Sequence, residues 1–469
     1  MQIKFCGADR VVTGSSHLII LDDGYKILLD CGMFQGGENY VDTFNQSFQF
    51  DPKEIDVLIL SHAHIDHSGR IPKLVHEGFK GRIICTSATK DLCKIMLLDS
   101  AHIQESDAKY VNKKRLKRGQ PPVSPLYTQN DVEPALRLFE AVDYETEFLI
   151  REGVTGYFRD NGHIVGSGSI QLNVQSTEGT RKIGFTGDVG RPNRPILKDP
   201  IRMEDVDFLI SEATYGGRYH ESYPDDKEYF LKIILDCCIA RKGRVIIPAF
   251  SIGRTQEIVF MLDQLNKDGK LPHIPVYVDS PLSTNATEVY RNHIECFDDY
   301  ISKYLLTDNN PFGFNDLTYI TDVEESKALN MKPEPCIIIS ASGMAEAGRI
   351  VHHIKNNMED ARNTILIVGY CAEGSLGSKI RNGISPIKLY GEEKQLRAKV
   401  EIMDSFSAHG DHDELLNFLD NLNRQKLKKL FLVHGVFEAQ LALKKGLEKN
   451  GFQFISMPEM GEIKELTFQ

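Results

Sequence analysis

The segment Leu58-Ile59-Leu60-Ser61-His62-Ala63-His64-Ile65-Asp66-His67 restricts what this chain can fold into more than any other part of it. An apolar run from Ile55 to Leu60, interrupted only by Asp56, reads as a buried strand that stops at Ser61. Four ligand-type side chains then fall within the six positions from His62 to His67. Without a cation they would be idle or mutually repulsive. His62 and His64 are two apart, so in extended backbone both imidazoles leave the same side. Asp66 and His67 come where the chain should turn and can face a second ion beside the first. Imidazole and carboxylate without thiolate suit zinc, with manganese or iron as alternatives.

The same format, a strand with a ligand type at its tip, recurs along the chain. The first thirty residues read as strand, turn, hairpin, ending at Asp30-Cys31-Gly32. Asp30 suits either a cap or a carboxylate that orients a ligand histidine from behind. His163 lies on the Gly-rich corner Gly162 to Ser169, where it suits either a packing role or a reach inward. Asp188, Glu212 and His434 each follow an apolar run. Strand tips that carry acids and histidines are what a metal-binding sheet edge requires.

After His67 a helix opens at Ser68 to Pro72, and another, capped by Ser87, is expected from Lys90 to about Tyr110. Lys113 to Arg118 carries five cations in six positions; it reads as a solvated loop, with a phosphate-contacting rim as the second reading. From Glu212 to about Leu396 the texture becomes repeated strand–helix units with Gly/Ser turns at the strand ends, suited to anions at helix N-termini. These include Ala341-Ser342-Gly343-Met344 and 370–375. The earlier format returns at Val400 to Met403 and 404–411, so the middle is an insertion. The expected domains are 1–212 and 397–469 as one body, with 213–396 inserted.

Composition narrows the function class. The 469 residues exceed what one core holds. The longest apolar runs are strand-sized, and Met1 leads directly into a strand, so neither a membrane span nor a leader is expected. Nine scattered cysteines without a C-x-x-C pair suit a reducing cytoplasm. A net charge of −11 argues against a general nucleic-acid coat protein, though not against a nuclease whose cations dominate its site.

Taken together, His62-Ala63-His64-Ile65-Asp66-His67, His163, Asp188, His434 and upstream Asp30 resemble the metallo-β-lactamase-fold hydrolase signature. The insertion, flanked by Glu212 and Ser407-Ala408-His409, resembles the β-CASP nuclease branch. Within that branch the chain is similar to bacterial and archaeal homologues of the nuclease subunit of the cleavage and polyadenylation specificity factor. The likeness covers essentially the whole chain, including Gly14-Ser15-Ser16-His17, 30–36 and 341–344. It implies an α/β fold: an αββα sandwich carrying the metals, with an inserted α/β cap domain closing a cleft over them. It implies that His62, His64 and His163 bind one zinc ion and Asp66, His67 and His434 a second. Asp188 would bridge the two, and Asp30 would stand behind the ligands. Glu212 and His409 match the family's paired acid and histidine. A histidine at His434 tilts the substrate toward RNA. Neither the archaeal N-terminal RNA-binding extension nor the long C-terminal domain of ribonuclease J is expected, so substrate choice and end preference stay open.

The chemistry then expected is hydrolysis of single-stranded RNA by a hydroxide held between two metals, about 3.5–4 Å apart. Asp66 would contact that hydroxide, and His409, held by Glu212, would protonate the departing 3′-oxygen, leaving 5′-phosphate and 3′-hydroxyl ends. Ser342, Ser375 and Ser407 are candidates to grip flanking phosphates, or serve only turn chemistry. His409 could alternatively cap the helix starting near Asp411. A possible homodimer is left open. The rival functions are hydrolysis of DNA or of a small-molecule ester, a flavin-linked diiron oxidoreductase, and a non-catalytic RNA-binding scaffold. The retention of all seven ligand types speaks against the last.

Overall fold

A computed structural model describes residues 1–469 except 37–39, 177–178, 221–225, 370, 372–373, 404–406 and 468–469. The chain divides into two compact units, Met1–Tyr219 with His409–Gln469, and His220–Ala408.

The first unit begins with β1 (Gln2–Phe5), β2 (His17–Ile20), β3 (Lys26–Leu29), β4 (Val57–Ile59), β5 (Arg82–Thr86) and β6 (Phe139–Val142). There follow β7 (Phe148–Arg151), β8 (Val154–Asp160), β9 (Gly168–Ser176), β10 (Gly179–Phe185) and β11 (Phe208–Glu212). The second unit holds β12 (Val245–Pro248), β13 (Val276–Asp279), β14 (Leu317–Ile320), β15 (Ile337–Ser340) and β16 (Thr364–Ile367). It also holds the ribbon β17 (Ile387–Leu389) and β18 (Glu392–Lys394), then β19 (Lys399–Ile402). The first unit resumes with β20 (Lys429–Val433), β21 (Ile455–Ser456) and β22 (Ile463–Glu465).

Two seven-stranded sheets make the first unit, in the orders β22-β1-β2-β3-β4-β5-β6 and β21-β20-β11-β10-β9-β8-β7. Alternation along each strand decides what each face covers. Ile3, Phe5, Ile27, Leu29 and Ile59 of one sheet share a core with Phe158, Ile170, Ile183, Phe185, Ile210 and Phe431 of the other. The residues between them point outward: Leu209, Leu430 and Leu432 pack with Leu415, Phe418, Leu443 and Leu447 of the two C-terminal helices. The Ser87–Lys117 helix lies on β5 and β6. Helices thus cover the outside of both sheets, giving the expected αββα sandwich.

That long helix differs from the sequence expectation at both ends. Its cap is Thr86, whose hydroxyl accepts from Thr89 N at 3.3 Å, rather than Ser87. It continues past Tyr110 to Lys117, because Lys, Arg and Leu are good helix formers and no glycine intervenes before Gly119. The run 113–118 is therefore mostly helix, not loop.

The second unit is a six-stranded sheet in the order β14-β13-β15-β12-β16-β19. All its pairings are parallel. Val245-Ile246-Ile247 and Ile337-Ile338-Ile339 are fully buried, as continuous apolar strands covered on both faces must be. One finding departs from the sequence reading: Lys399–Ile402 was expected in the first body but pairs with β16 in the inserted sheet. A short segment alternating charged and apolar residues reads as strand either way; only its partner assigns the sheet. The chain re-enters the first unit at His409. Of the expected turns, 370 and 372–373 and the segment 404–406 lie outside the described residues.

Candidate metal centre

The site stands at one edge of the sandwich, where strands of both sheets end. Just beyond β4 the chain delivers Ser61 and His62, and His64 precedes the short helix Ile65–Ser68 that carries Asp66 and His67. This tight path needs Gly32: a Cβ there would lie 1.6 Å from Asp66 O. The corner between β8 and β9 brings His163. Its Gly166, at φ +86°, has its carbonyl bonded by the hydroxyls of Thr86 and Thr89 at 2.6 and 2.8 Å. Asp188 follows β10, Glu212 ends β11, and His434 follows β20. Asp30 and His434 both sit at positive φ, +59° and +49°. Such backbone strain is concentrated at functional sites.

Every expected ligand is brought together. His64 Nδ1 lies 3.1 Å from both His62 Nε2 and His163 Nε2. Asp188 Oδ2 is 3.6 Å from each of those two Nε2 atoms. On the other side, His67 Nε2 lies 3.0 Å from His434 Nε2, and His434 Nε2 is 3.6 Å from Asp66 Oδ2. Asp188 Oδ1 faces this second group, 3.3 Å from His67 Nε2 and 3.5 Å from His434 Nδ1. The two oxygens of one carboxylate thus look toward two different sets of nitrogens. Glu212 and His434 also come near Asp188.

These contacts fit divalent metal. Three ring nitrogens facing one another cannot all be satisfied by hydrogens, since a neutral imidazole carries one proton. Metal–nitrogen bonds of about 2.0–2.1 Å in tetrahedral geometry set neighbouring nitrogens about 3.3 Å apart, near the spacing found. In the second group, His67 Nδ1 donates to Asp30 Oδ2 at 2.6 Å, which turns Nε2 toward a nitrogen and a carboxylate. Asp188 Oδ1, which faces this second group, is one of the buried polar atoms with no hydrogen-bond partner among the described residues. Cys31 is no rival ligand: burial pushes its thiol up to about 12.

Protonation differs between the groups. Burial pushes the pKa of His62 and His163 well below the usual histidine value and that of His64 to about 4, so the first group is neutral. Burial acts the same way on His67, but Asp188 and Asp30 outweigh it and hold this ring well above its usual value. Burial would raise Asp66, yet the His434 hydrogen bond and His67 hold it at about 2. Asp188 is likewise held well below the carboxylate range, against its burial, by His434, His67 and His409.

Glu212 and His409 also meet. Glu212 is 1% exposed and accepts from Val189 N and Thr214 N. His409 Nδ1 lies 3.4 Å from Glu212 Oε1, and its Nε2 faces Asp188 Oδ2 at 3.9 Å. Burial opposes charge on His409, but Glu212, then Asp188 and Asp66, push its pKa up to about 9. Asp411, not His409, caps the helix His412–Leu419. Asp30 sits behind the ligands as a hub, accepting from Ser61 N, Ser61 Oγ, Ser15 Oγ and His67.

Several supporting residues were not read from the sequence. Thr214 Oγ1 lies 3.0 Å from His434 Nδ1 and donates to His434 O at 2.9 Å. Tyr215 stacks on His409 at 6.0 Å. Ser15 and Ser61, which bond Asp30, fell within noted motifs but without a role there; lone hydroxyls in turns carry no signal. The three candidate phosphate serines belong to the inserted unit. Ser342 Oγ accepts from Glu346 N at 3.2 Å, Ser375 Oγ caps the helix Leu376–Arg381 by accepting from Ser378 N at 3.1 Å, and Ser407 is 6% exposed.

Comparison with known proteins agrees with this arrangement. Residues 9–237 match the metallo-beta-lactamase superfamily, 255–380 the Beta-Casp domain, and 393–458 the Zn-dependent metallo-hydrolase RNA specificity domain. The chain is 37% identical to Ribonuclease TTHA0252 of Thermus thermophilus over 462 residues, covering 98% of this chain and 99% of that one. It is 30% identical to Cleavage and polyadenylation specificity factor 73 of Drosophila melanogaster over 96% of this chain, which spans 62% of that protein. A crystal structure of a protein of unknown function from Enterococcus faecalis V583 shares the fold, with a TM-score of 0.55, 12% identity and 99% coverage of both chains. A metal-type donor set at the edge of an αββα sandwich, an inserted parallel-sheet unit and a relative matched along its whole length lead to one assignment: the chain belongs to the β-CASP ribonuclease family of metallo-β-lactamase-fold hydrolases, and is a metal-dependent enzyme.

Proposed function

We propose that this protein is a zinc-dependent ribonuclease that hydrolyses phosphodiester bonds of single-stranded RNA and leaves 5′-phosphate and 3′-hydroxyl ends. The observation that carries the reading is Asp188, whose two oxygens face two separate sets of buried ligand atoms beside the Glu212–His409 pair. In this reading His62, His64 and His163 hold one ion, Asp66, His67 and His434 the other, and Asp188 both. Two divalent ions so held would neutralise the scissile phosphate and acidify the attacking water. Asp66, an ionised carboxylate, orients that water by accepting its hydrogen bond. Asp30 fixes His67 through Nδ1, leaving Nε2 as the ligand atom.

His409 is the proton donor. Glu212 holds its Nδ1–H, so Nε2–H faces the cluster and gives its proton to the departing 3′-oxygen. A pKa raised to about 9 keeps the ring charged, and cations among the same carboxylates draw it back toward neutrality, where a donor works best. Ser342, Ser375 and Ser407 would grip flanking phosphates, positioning the strand without reading bases. RNA as substrate is supported by the RNA specificity match and by relatives named as a ribonuclease and a cleavage factor. Nine buried thiols suit a reducing cytoplasm.

The test is to incubate zinc-loaded protein with 5′- and 3′-labelled single-stranded RNA, its fully paired form and matched DNA, and to map the ends. Cleavage of single-stranded RNA to 5′-phosphate products, abolished by chelation, is expected. Preference for DNA, equal rates on paired RNA, or binding without cleavage would each overturn the proposal.

A further inference from the structure

The distal half of the Ser87–Lys117 helix plays no part in the site, and packing does not explain it. Its buried residues end at Ala101; from His102 to Gln120 none is buried. These last turns project into solvent, yet they are held in order. Asn112 Nδ2 donates to Val123 O, and Val123 N donates back to Asn112 Oδ1, both at 2.8 Å. Arg115 Nε donates to Pro121 O at 2.7 Å, and Leu126 N donates to Gln104 Oε1 at 3.0 Å. A returning segment is thus stapled along one side of the helix. Ordering it costs about 1–2 kcal/mol of backbone entropy per residue, which the hydrophobic core does not offset.

The other side of the helix is a row of cations. Lys109, Lys113 and Lys117 recur every four residues, so they share one face at intervals of about one 5.4 Å turn. Lys114 and Arg118 flank them, and Lys114 Nζ lies 4.3 Å from the centroid of the exposed Tyr110 ring. From Lys109 to Arg118 there are six cations and no acid, on a chain of net charge −11. Like charges four apart weaken a helix by a few tenths of a kcal/mol per pair. Among the described residues none of the six forms an ion pair. A merely solvated face would interleave acids; here Glu105 lies one turn before Lys109, and from Lys113 to Arg118 there is none.

We infer that this arm is a second RNA-binding site, in which Lys109, Lys113, Lys117 and Lys114 hold successive phosphates and Tyr110 offers a ring for a base to stack on. The inference rests on RNA being the substrate. The helix starts at Thr86 and Thr89, against the turn that carries His163. The lysines lie 20–28 residues further on, about 30–42 Å away at 1.5 Å per residue. A stacked strand, with phosphates about 3.4 Å apart, needs roughly ten nucleotides to reach from the cluster to the arm. Length dependence is therefore the signature.

The test compares wild type with the triple variant Lys109→Glu/Lys113→Glu/Lys117→Glu, zinc-loaded and checked for helix content. KM is measured on a 30-nucleotide single-stranded RNA and on a pentanucleotide, and bis(4-nitrophenyl) phosphate reports the metal cluster alone. Kd for the 30-mer is read by anisotropy in an Asp66→Ala background. The expected result is a rise of tenfold or more in KM and Kd for the 30-mer. The log–log salt slope should flatten by about two, three phosphate contacts at about 0.7 each. The pentanucleotide should show less than a twofold change. Unchanged 30-mer affinity, as a site for an acidic protein partner would give, overturns the inference, as does an equal loss on both lengths. Should no RNA be cleaved at all, the proposed function fails while the anisotropy still reads the arm.

Discussion

The two halves of the metal centre are built on opposite electrostatic plans. His62, His64 and His163 form a neutral set whose burial keeps protons off, and they come from the first 163 residues of the chain. Asp66, His67 and His434 form a charged set, in which carboxylates hold a proton on His67, and its last member arrives 367 residues after His67. On the proposed reading the first half is ready for a cation as it folds, while the second would exchange a proton for it and waits on a distant strand. Asp188 belongs to both, so the difference between the halves can be probed by breaking what they share and then what they do not.

The largest effect is expected at the shared residue. Asp188→Asn should lower RNA cleavage by on the order of 10⁴-fold, roughly 5.5 kcal/mol of barrier, and reduce zinc below two equivalents. Metal analysis alongside turnover checks it; two tightly bound ions in the variant would break the idea that this carboxylate joins the halves. Next comes Asp66→Ala, which touches only the charged half. Turnover should fall by more than about a thousandfold, ~4 kcal/mol, with the circular dichroism spectrum unchanged, because the side chain is a ligand type on the short Ile65–Ser68 helix, facing the cluster and not the hydrophobic core. Residual activity above that level would remove Asp66 from its central role.

A smaller change should follow Asp30→Asn. The amide cannot hold His67 as a carboxylate does, so affinity for one zinc equivalent should drop about 10–100-fold while the other is kept. Competition against a chromogenic chelator resolves the two equivalents; an equal loss of both would mean that Asp30 supports the whole sandwich edge and not one half. The smallest and sharpest contrast concerns protons. Between about pH 6 and 8 binding to the neutral set should release none, since its pKa values lie below that window. Binding to the charged set should displace the raised-pKa proton of His67, so its apparent affinity climbs as pH rises. Calorimetry in buffers of different ionisation enthalpy distinguishes these, and matching proton counts for both ions would contradict the assignment.

Much of the site was legible because its residue types are dense or repetitive. His62 to His67 is visible in one line of sequence, and Asp188, Glu212 and His434 share the strand-tip format. What escaped is what pairs across space. Ser61 and Thr214 are ordinary turn residues until Asp30 and His434 meet them. Lys399–Ile402 shows the same apolar alternation whichever sheet receives it, so its pairing with β16 could not be read from the segment itself. The length of the Ser87–Lys117 helix was underestimated for a different reason: apolar periodicity fades after Ala101, and beyond it only propensity and side-chain staples keep the helix going.

The interleaving of the two units has a consequence in time. β11 sits inside its sheet only because β20 lies beside it, and β20 begins 217 residues after Glu212 is made. At about 5–20 residues per second a ribosome needs roughly 10–40 s to cover that interval. Through it the nascent chain carries the unpaired edge of a strand that is buried in the finished fold; His409 is added only near the end of the interval and His434 after it. On the proposed function, an RNA-cutting enzyme assembled in this order is inert while that part of it is still being made beside the message and the ribosomal RNA, and becomes competent only once β20 and His434 have joined the sheet.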